Sequence, residues 1–244
     1  MTALVRSELL KLRTTRTALG LLVGMVVLIV LVTLLNGLAT DESYLIEREN
    51  QFELLANGSI ASAFAAVLGV LSLTTEFRHG TSRPTFLAEP RRWRVLVAKL
   101  IAIVVFTSAL GAVGIGLSYG IGRICLDWRD TPVLLSGSDV ALVFGGAVAA
   151  TVLWGAFALA IGAIVRNQVG AIVGLLFWSL LVESILFALV PSVGRYLPGR
   201  AASVLTEIET PHQLPVTAGI LVFLGYLVLA SAAGAVVTAR RDVS

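Results

Sequence analysis

Glu183 is the residue in this 244-residue chain whose type and surroundings point most directly to chemistry. It stands deep inside an apolar run, Trp178-Ser179-Leu180-Leu181-Val182-Glu183-Ser184. A carboxylate in hydrocarbon is costly, so such a group faces protein or a water-filled cavity, and function is the default expectation. Two functional roles stay open, lining a substrate path or carrying a proton. The bland account is a neutral acid bonded to Ser179 or a neighbouring helix as interhelical glue. Gly116-Leu117-Ser118-Tyr119-Gly120 has the G-x-S-x-G spacing of a nucleophile elbow. That motif needs a strand-turn-helix setting with His and acid partners, whereas here it closes an apolar run. Gly116 and Gly120 also form a G-x-x-x-G pair, as do Gly20/Gly24 and Gly170/Gly174. Such pairs predict tight helix contacts or dimerisation. His79 and His212 are the only histidines and show no H-E-x-x-H spacing, which argues against metal catalysis. No Gly-Lys dipeptide occurs, so a P-loop is absent and the chain is not expected to be an ATPase or other enzyme.

A second kind of chemistry, docking, is written into residues 76–94. The stretch runs Glu76-Phe77-Arg78-His79-Gly80-Thr81-Ser82-Arg83-Pro84-Thr85-Phe86-Leu87-Ala88-Glu89-Pro90-Arg91-Arg92-Trp93-Arg94 and separates two long apolar runs. Gly80 suits the left-handed residue that ends a helix. Thr81 or Ser82 can cap a new helix, and Pro84 fits its first turn. Phe86, Leu87 and Ala88 give that helix an apolar side. Glu89 precedes Pro90, a position biased away from helix, so the helix is expected to stop there. Arg91, Arg92 and Arg94 form a basic collar. The expectation is a short helix held outside the membrane, with an oily side suited to docking.

The elements that must carry these residues are helices in a membrane. The chain is 57% apolar and 14% charged, against about 45–50% and about 25% in soluble domains, and its mean hydropathy is +0.93. Six apolar runs, approximately 18–38, 59–75, 100–119, 140–165, 169–190 and 216–239, approach the roughly 20 residues a helical crossing needs. Helices are the default because backbone groups in hydrocarbon must bond within their own segment. The first run is too long for a secretory core and is read as an uncleaved span. Residues 1–17 precede it, with Val5, Leu9 and Leu12 on one helical face. They predict a short amphipathic helix on the inner leaflet, its basic residues meeting anionic lipid. Cys125 is the lone cysteine, so no intrachain disulfide forms.

Charge sets the expected orientation. Arg6, Lys11, Arg13, Arg16, the 76–99 stretch, Arg166, Arg240 and Arg241 all fall on one side. Arg48, Arg123, Arg129, Arg195 and Arg200 fall on the other. The positive-inside rule puts both termini and the docking stretch in the cytoplasm. Basic charge here reports orientation, not nucleic acid. Residues 166–168 form a tight inner hairpin, and Asn57-Gly58-Ser59 a turn entering span two. The proline-containing segment 191–215 lies outside, with a short helix expected from Arg200 to Ile208.

With these residues in view, the chain resembles the permease subunits of ATP-binding-cassette exporters of the type-2 class. Ser7-Glu8-Leu9-Leu10-Lys11-Leu12-Arg13-Thr14-Thr15-Arg16 is similar to the family's N-terminal elbow helix. Glu76 to Thr81, with Arg83-Pro84-Thr85, Pro90-Arg91-Arg92 and Lys99, is similar to its first cytoplasmic loop. Leu197-Pro198-Gly199-Arg200-Ala201-Ala202 resembles its outer segment, and Arg240-Arg241-Asp242-Val243 its ending. The resemblance implies one transmembrane permease domain over 1–244, all-α, with six spans, an elbow helix and a coupling helix between spans two and three. It implies a cell-membrane exporter unit of two permeases, identical or paralogous, and two copies of a separate ATPase. ATP and Mg would sit on the ATPase, with no cofactor on this chain. Thr81, Ser82, Arg83, Pro84, Thr85, Phe86, Leu87, Ala88 and Glu89 would dock on it, flanked by Glu76, Arg78, Gly80, Arg91 and Arg92. The cargo would be apolar or amphipathic, such as a drug, peptide antibiotic or lipid. Two other classes stay open: a proton-coupled secondary transporter using Glu183, and a non-transporting scaffold or sensor subunit.

Overall fold

A computed structural model describes residues 1–78, 80, 91–165, 167–206 and 212–240. Among them every regular element is helical, and six helical stretches are long and apolar enough to cross a membrane. A first helix, α1 (Thr2–Thr14), is followed by α2 (Arg16–Ala39). After a one-turn α3 (Glu42–Leu45), α4 (Arg48–Ala56) runs through a 3-10 turn at Asn57–Ile60 into α5 (Ala61–Arg78). Then come α6 (Arg92–Trp128) and α7 (Gly137–Val165). The next crossing, α8 (Gln168–Leu189), is interrupted by a π-turn at Trp178–Val182. Two short helices, α9 (Pro191–Gly194) and α10 (Pro198–Ser203), lead to α11 (Val216–Arg240).

Most boundaries agree with the apolar runs; the third does not. Its run suggested 100–119, but α6 has 37 residues and extends about 55 Å at 1.5 Å per residue, well beyond a hydrocarbon core of ~30 Å. The helix continues past the apolar run at both ends because those turns pack on protein. At one end Lys99 is fully buried, and at the other Cys125 and Leu126 are buried. Arg91 is therefore the N-cap of this helix and Arg92 its first residue, not loop. The short helix expected from Arg200 to Ile208 instead starts at Pro198, whose ring suits a first turn, and ends at Ser203; Glu207 and Ile208 lie outside the described residues.

Helices α5 and α7 form the centre. They approach through small residues. A Cβ on Gly69 would collide with the Gly155 carbonyl oxygen, and one on Gly155 would lie 2.7 Å from Thr107 Cγ2 of α6. Close backbone approach of this kind is how small residues drive helix association in lipid. The glycine pairs singled out in the sequence do not serve this purpose within the chain. Gly20, Gly116, Gly120 and Gly174 face open space, Gly24 makes ordinary contact with Phe64, and Gly170 touches only its own cap, Asn167. Helix α11 packs on α7 through edge-on rings of Trp154, Phe157 and Phe223, with centroids 5.6–6.0 Å apart.

Two polar latches hold the end of the bundle where α2 finishes and α6 ends. Gln51, fully buried, donates to the carbonyls of Leu45 and Pro132 and accepts from the Leu134 amide. Ser118, also fully buried, donates toward the carbonyls of Leu54 and Leu55 at 3.1 and 2.8 Å and accepts from Thr33. The G-x-S-x-G serine is thus a fastener between α4 and α6. Its proton is committed to backbone, and it has no access to a substrate.

Candidate functional site

Four charged residues converge at the opposite end of the bundle, where α5 finishes and α6 begins. Glu8 and Lys11 stand one turn apart on α1, Glu76 lies in the last turns of α5, and Lys99 lies two turns into α6. The Lys99 ammonium donates to Glu8 Oε2 at 2.8 Å, Glu76 Oε1 at 2.7 Å and the Ser72 carbonyl at 3.1 Å. An ammonium has three donors, so this one is fully satisfied although its side chain is 0% exposed. Lys11 bridges the same two acids, at 2.7 Å to Glu8 and 2.8 Å to Glu76. Two cations and two anions make a neutral quartet, buried except for Lys11, which is half-exposed.

Its titration follows from that geometry. Burial opposes the charge of Glu8, but Lys99 and Lys11 outweigh it and hold the carboxyl below its ordinary range. Burial likewise opposes the charge of Lys11, while hydrogen bonds to Glu76 and Glu8 outweigh it and raise the ammonium. Single-partner removal from such a network leaves an uncompensated buried charge, which is why it specifies one arrangement of α1, α5 and α6.

This changes the expectation for the N-terminus. A helix is present, but Lys11 turns to Glu8 and Glu76, not outward to lipid. Leu12 is buried with Leu73, Ala102 and Ile103, and Leu9 packs on the same cluster. Glu76, expected as a loop flank, is a buried helical residue. Arg78 ends α5, and Gly80 comes two residues later with φ of 67°, the left-handed conformation expected of it. The docking helix expected at Thr81–Glu89 lies outside the described residues, as does His79. The quartet joins residues on both flanks of that segment to α1.

A cavity of about 490 Å³ lies where α5, α7, α8 and α10 meet. Glu183 forms part of its wall and is 1% exposed. The π-turn positions it: the Glu183 amide donates to the Trp178 carbonyl, five residues back. One extra residue in a turn rotates the remainder of the helix by roughly 100°, and such turns often accompany functional positions. Glu183 does not bond Ser179, whose hydroxyl goes to the Leu176 carbonyl. Its Oε2 instead accepts from the Gly199 amide at 2.6 Å and the Arg200 amide at 3.3 Å, the first free N–H groups of α10. Pro198 has no N–H to offer, and a Cβ on Gly199 would lie 2.5 Å from Oε2. The carboxylate of one span therefore ties down the short helix that comes after it.

The sequence marked Glu183 by its loneliness in an apolar run; the quartet carried no such mark. Its legible signals were Glu8 among basic residues, one helical turn from Lys11, and Lys99 leading an apolar run. No protein-family model matches the chain, and no curated protein gives a significant sequence match.

Proposed function

We propose that this chain is the membrane-spanning subunit of an ATP-driven exporter, working with a separate ATPase and a second permease subunit, identical or paralogous. In this account α1 is the elbow helix and Thr81–Glu89 is the coupling helix that docks on the ATPase. Both termini face the cytoplasm, and ATP and Mg sit on the partner, which is present in two copies. The observation that carries the proposal is the quartet. A lever must be rooted in something stiff, and Glu76 and Lys99, on either flank of the 79–90 segment, are locked to each other and to Glu8 and Lys11. A push on that segment would be passed to α1, α5 and α6 together. The chain has no P-loop to supply energy itself, which supports a separate ATPase. The apolar and hydroxyl lining of the Glu183 cavity fits an amphipathic cargo.

The test is co-purification with an ATPase, sought first among the neighbouring reading frames, before and after Phe86→Ala and Leu87→Ala. Loss of the ATPase from a folded double variant supports docking; an ATPase that never accompanies the chain sinks the proposal. A second reading, proton-coupled transport, is favoured by buried Glu183. Transport abolished by an ionophore and indifferent to ATP depletion would select it.

A further inference from the structure

The two oxygens of Glu183 are treated differently. Oε2 takes both α10 amides. Oε1 is buried and has no hydrogen-bond partner of normal geometry among the described residues, although the Trp178 side chain approaches the carboxylate. Buried acceptors are satisfied with few exceptions, and an orphan calls for a missing partner. The carboxylate belongs to the wall of the 490 Å³ cavity, within the range of small-molecule sites.

The remaining polar groups of the wall narrow what that partner is. Ser179 donates its hydroxyl proton to the Leu176 carbonyl, Ser184 to the Leu180 carbonyl, and Ser203 to the Arg200 carbonyl. Ser62 lies 3.3 Å from Thr151, whose own proton goes to the Ala147 carbonyl, so Ser62 is the donor there. Each of these hydroxyls has given away its one proton and keeps acceptor capacity only. Arg200, also in the wall, holds its guanidinium 4.5 Å over the Phe187 ring. These hydroxyls thus offer acceptors beside a carboxylate, while Ser59, Trp154 and the Arg200 guanidinium bring donors to the same wall. A carboxylate or phosphate head would meet like charge at Glu183 Oε1, which as a carboxylate oxygen can only accept. An alcohol brings one donor. An ammonium brings three donors, no acceptor and the complementary charge.

We infer that this cavity binds amphiphiles with a primary ammonium head. The ammonium donates to Glu183 Oε1, and the hydrocarbon lies against Ala63, Ala66, Ala150 and Leu175. Trp154, in the same wall, brings an aromatic ring, a kind of group that attracts cations. As the identity of an exporter's cargo this rests on the function proposed above. As a binding site it belongs to this chain alone.

The test uses the purified full chain in lipid nanodiscs, without any ATPase, titrated with octylamine and separately with 1-octanol. Empty nanodiscs correct for partition into lipid, and tryptophan fluorescence reports occupancy. The expected result is saturable octylamine binding about tenfold tighter than octanol, as a charge-assisted bond exceeds a neutral one. Glu183→Gln, which keeps a carbonyl oxygen for α10 but can present an amide donor to the ammonium, should erase that preference. Ala63→Leu, which fills the cavity without touching Glu183, should weaken octylamine about tenfold. It decides the matter if the glutamine variant does not fold. Equal binding of the alcohol, a preference that survives Glu183→Gln, or indifference to Ala63→Leu overturns the site. A site confirmed here beside a chain that never meets an ATPase would overturn the exporter and leave the site standing.

Discussion

Gly199 and Lys99 show how much a single position carries when the environment leaves no slack. The Gly199 amide lies 2.6 Å from Glu183, and a methyl group there would collide with the carboxylate it serves. Gly199→Ala must push the acid or α10 aside, at a cost of about 1–3 kcal/mol. Gly174→Ala, which meets open space inside a helix, should be neutral or stabilising by up to about 1 kcal/mol. Thermal melts of the two variants in one detergent check the contrast, and equal melting temperatures would refute the close contact. Lys99→Met is predicted to be harsher, at about 3–5 kcal/mol, because Glu8 and Glu76 then share one half-exposed cation. Adding Glu76→Gln should restore part of that loss. A double-mutant cycle that showed no coupling would mean that the quartet does not act as a unit.

Helix α1 depends on that same charge pattern for its position. Glu8 titrates below its ordinary range, so its contribution is present above the unfolded value and is lost as pH falls through the lowered folded one. Lys11 titrates above its ordinary value, so its contribution is complete below the unfolded value and is lost as pH rises through the raised one. Docking of α1 should therefore hold across neutral pH and loosen only at the acid and alkaline extremes. An environment-sensitive dye on Ser7→Cys in a Cys125→Ser background reads this directly; undocking near neutral pH would contradict it. Element by element, the spans were legible because hydropathy over 20 residues is a strong local signal, and so was the turn at Asn57–Ile60. What escaped the sequence is non-local. Lys99 reads as the basic edge of a loop until Glu8, 91 residues away, is found against it. The interhelical glycines within the chain also lie elsewhere than the spacing suggested. The G-x-x-x-G spacing selected Gly116 and Gly120, whereas the contacts fall at Gly69 and Gly155, which no spacing rule connects. The π-turn before Glu183 likewise has no signature in Trp178–Val182, yet it rotates the acid into register with α10.

At the scale of the whole molecule, burial divides the six spans into a centre and a margin. In their most apolar windows α5 and α7 are 56% buried, while α8 and α11 are 11% buried. A large apolar area on α8 and α11 is thus left for lipid or a second subunit. That arrangement makes sense only in one orientation if the 79–90 segment is to be reached by an ATPase, and orientation rests on the distribution of Lys and Arg. The lone cysteine makes it testable, because Cys125→Ser clears the background and Cys125 is buried in any case. Ser136, exposed between α6 and α7, and Arg13, exposed on α1, lie at opposite ends of the bundle. With a membrane-impermeant maleimide on intact cells, Ser136→Cys should label at once and Arg13→Cys only after permeabilisation. The reverse pattern would turn the quartet and the 79–90 segment outward, beyond the reach of any ATP-hydrolysing partner, and would remove the exporter from consideration whatever the Glu183 cavity binds.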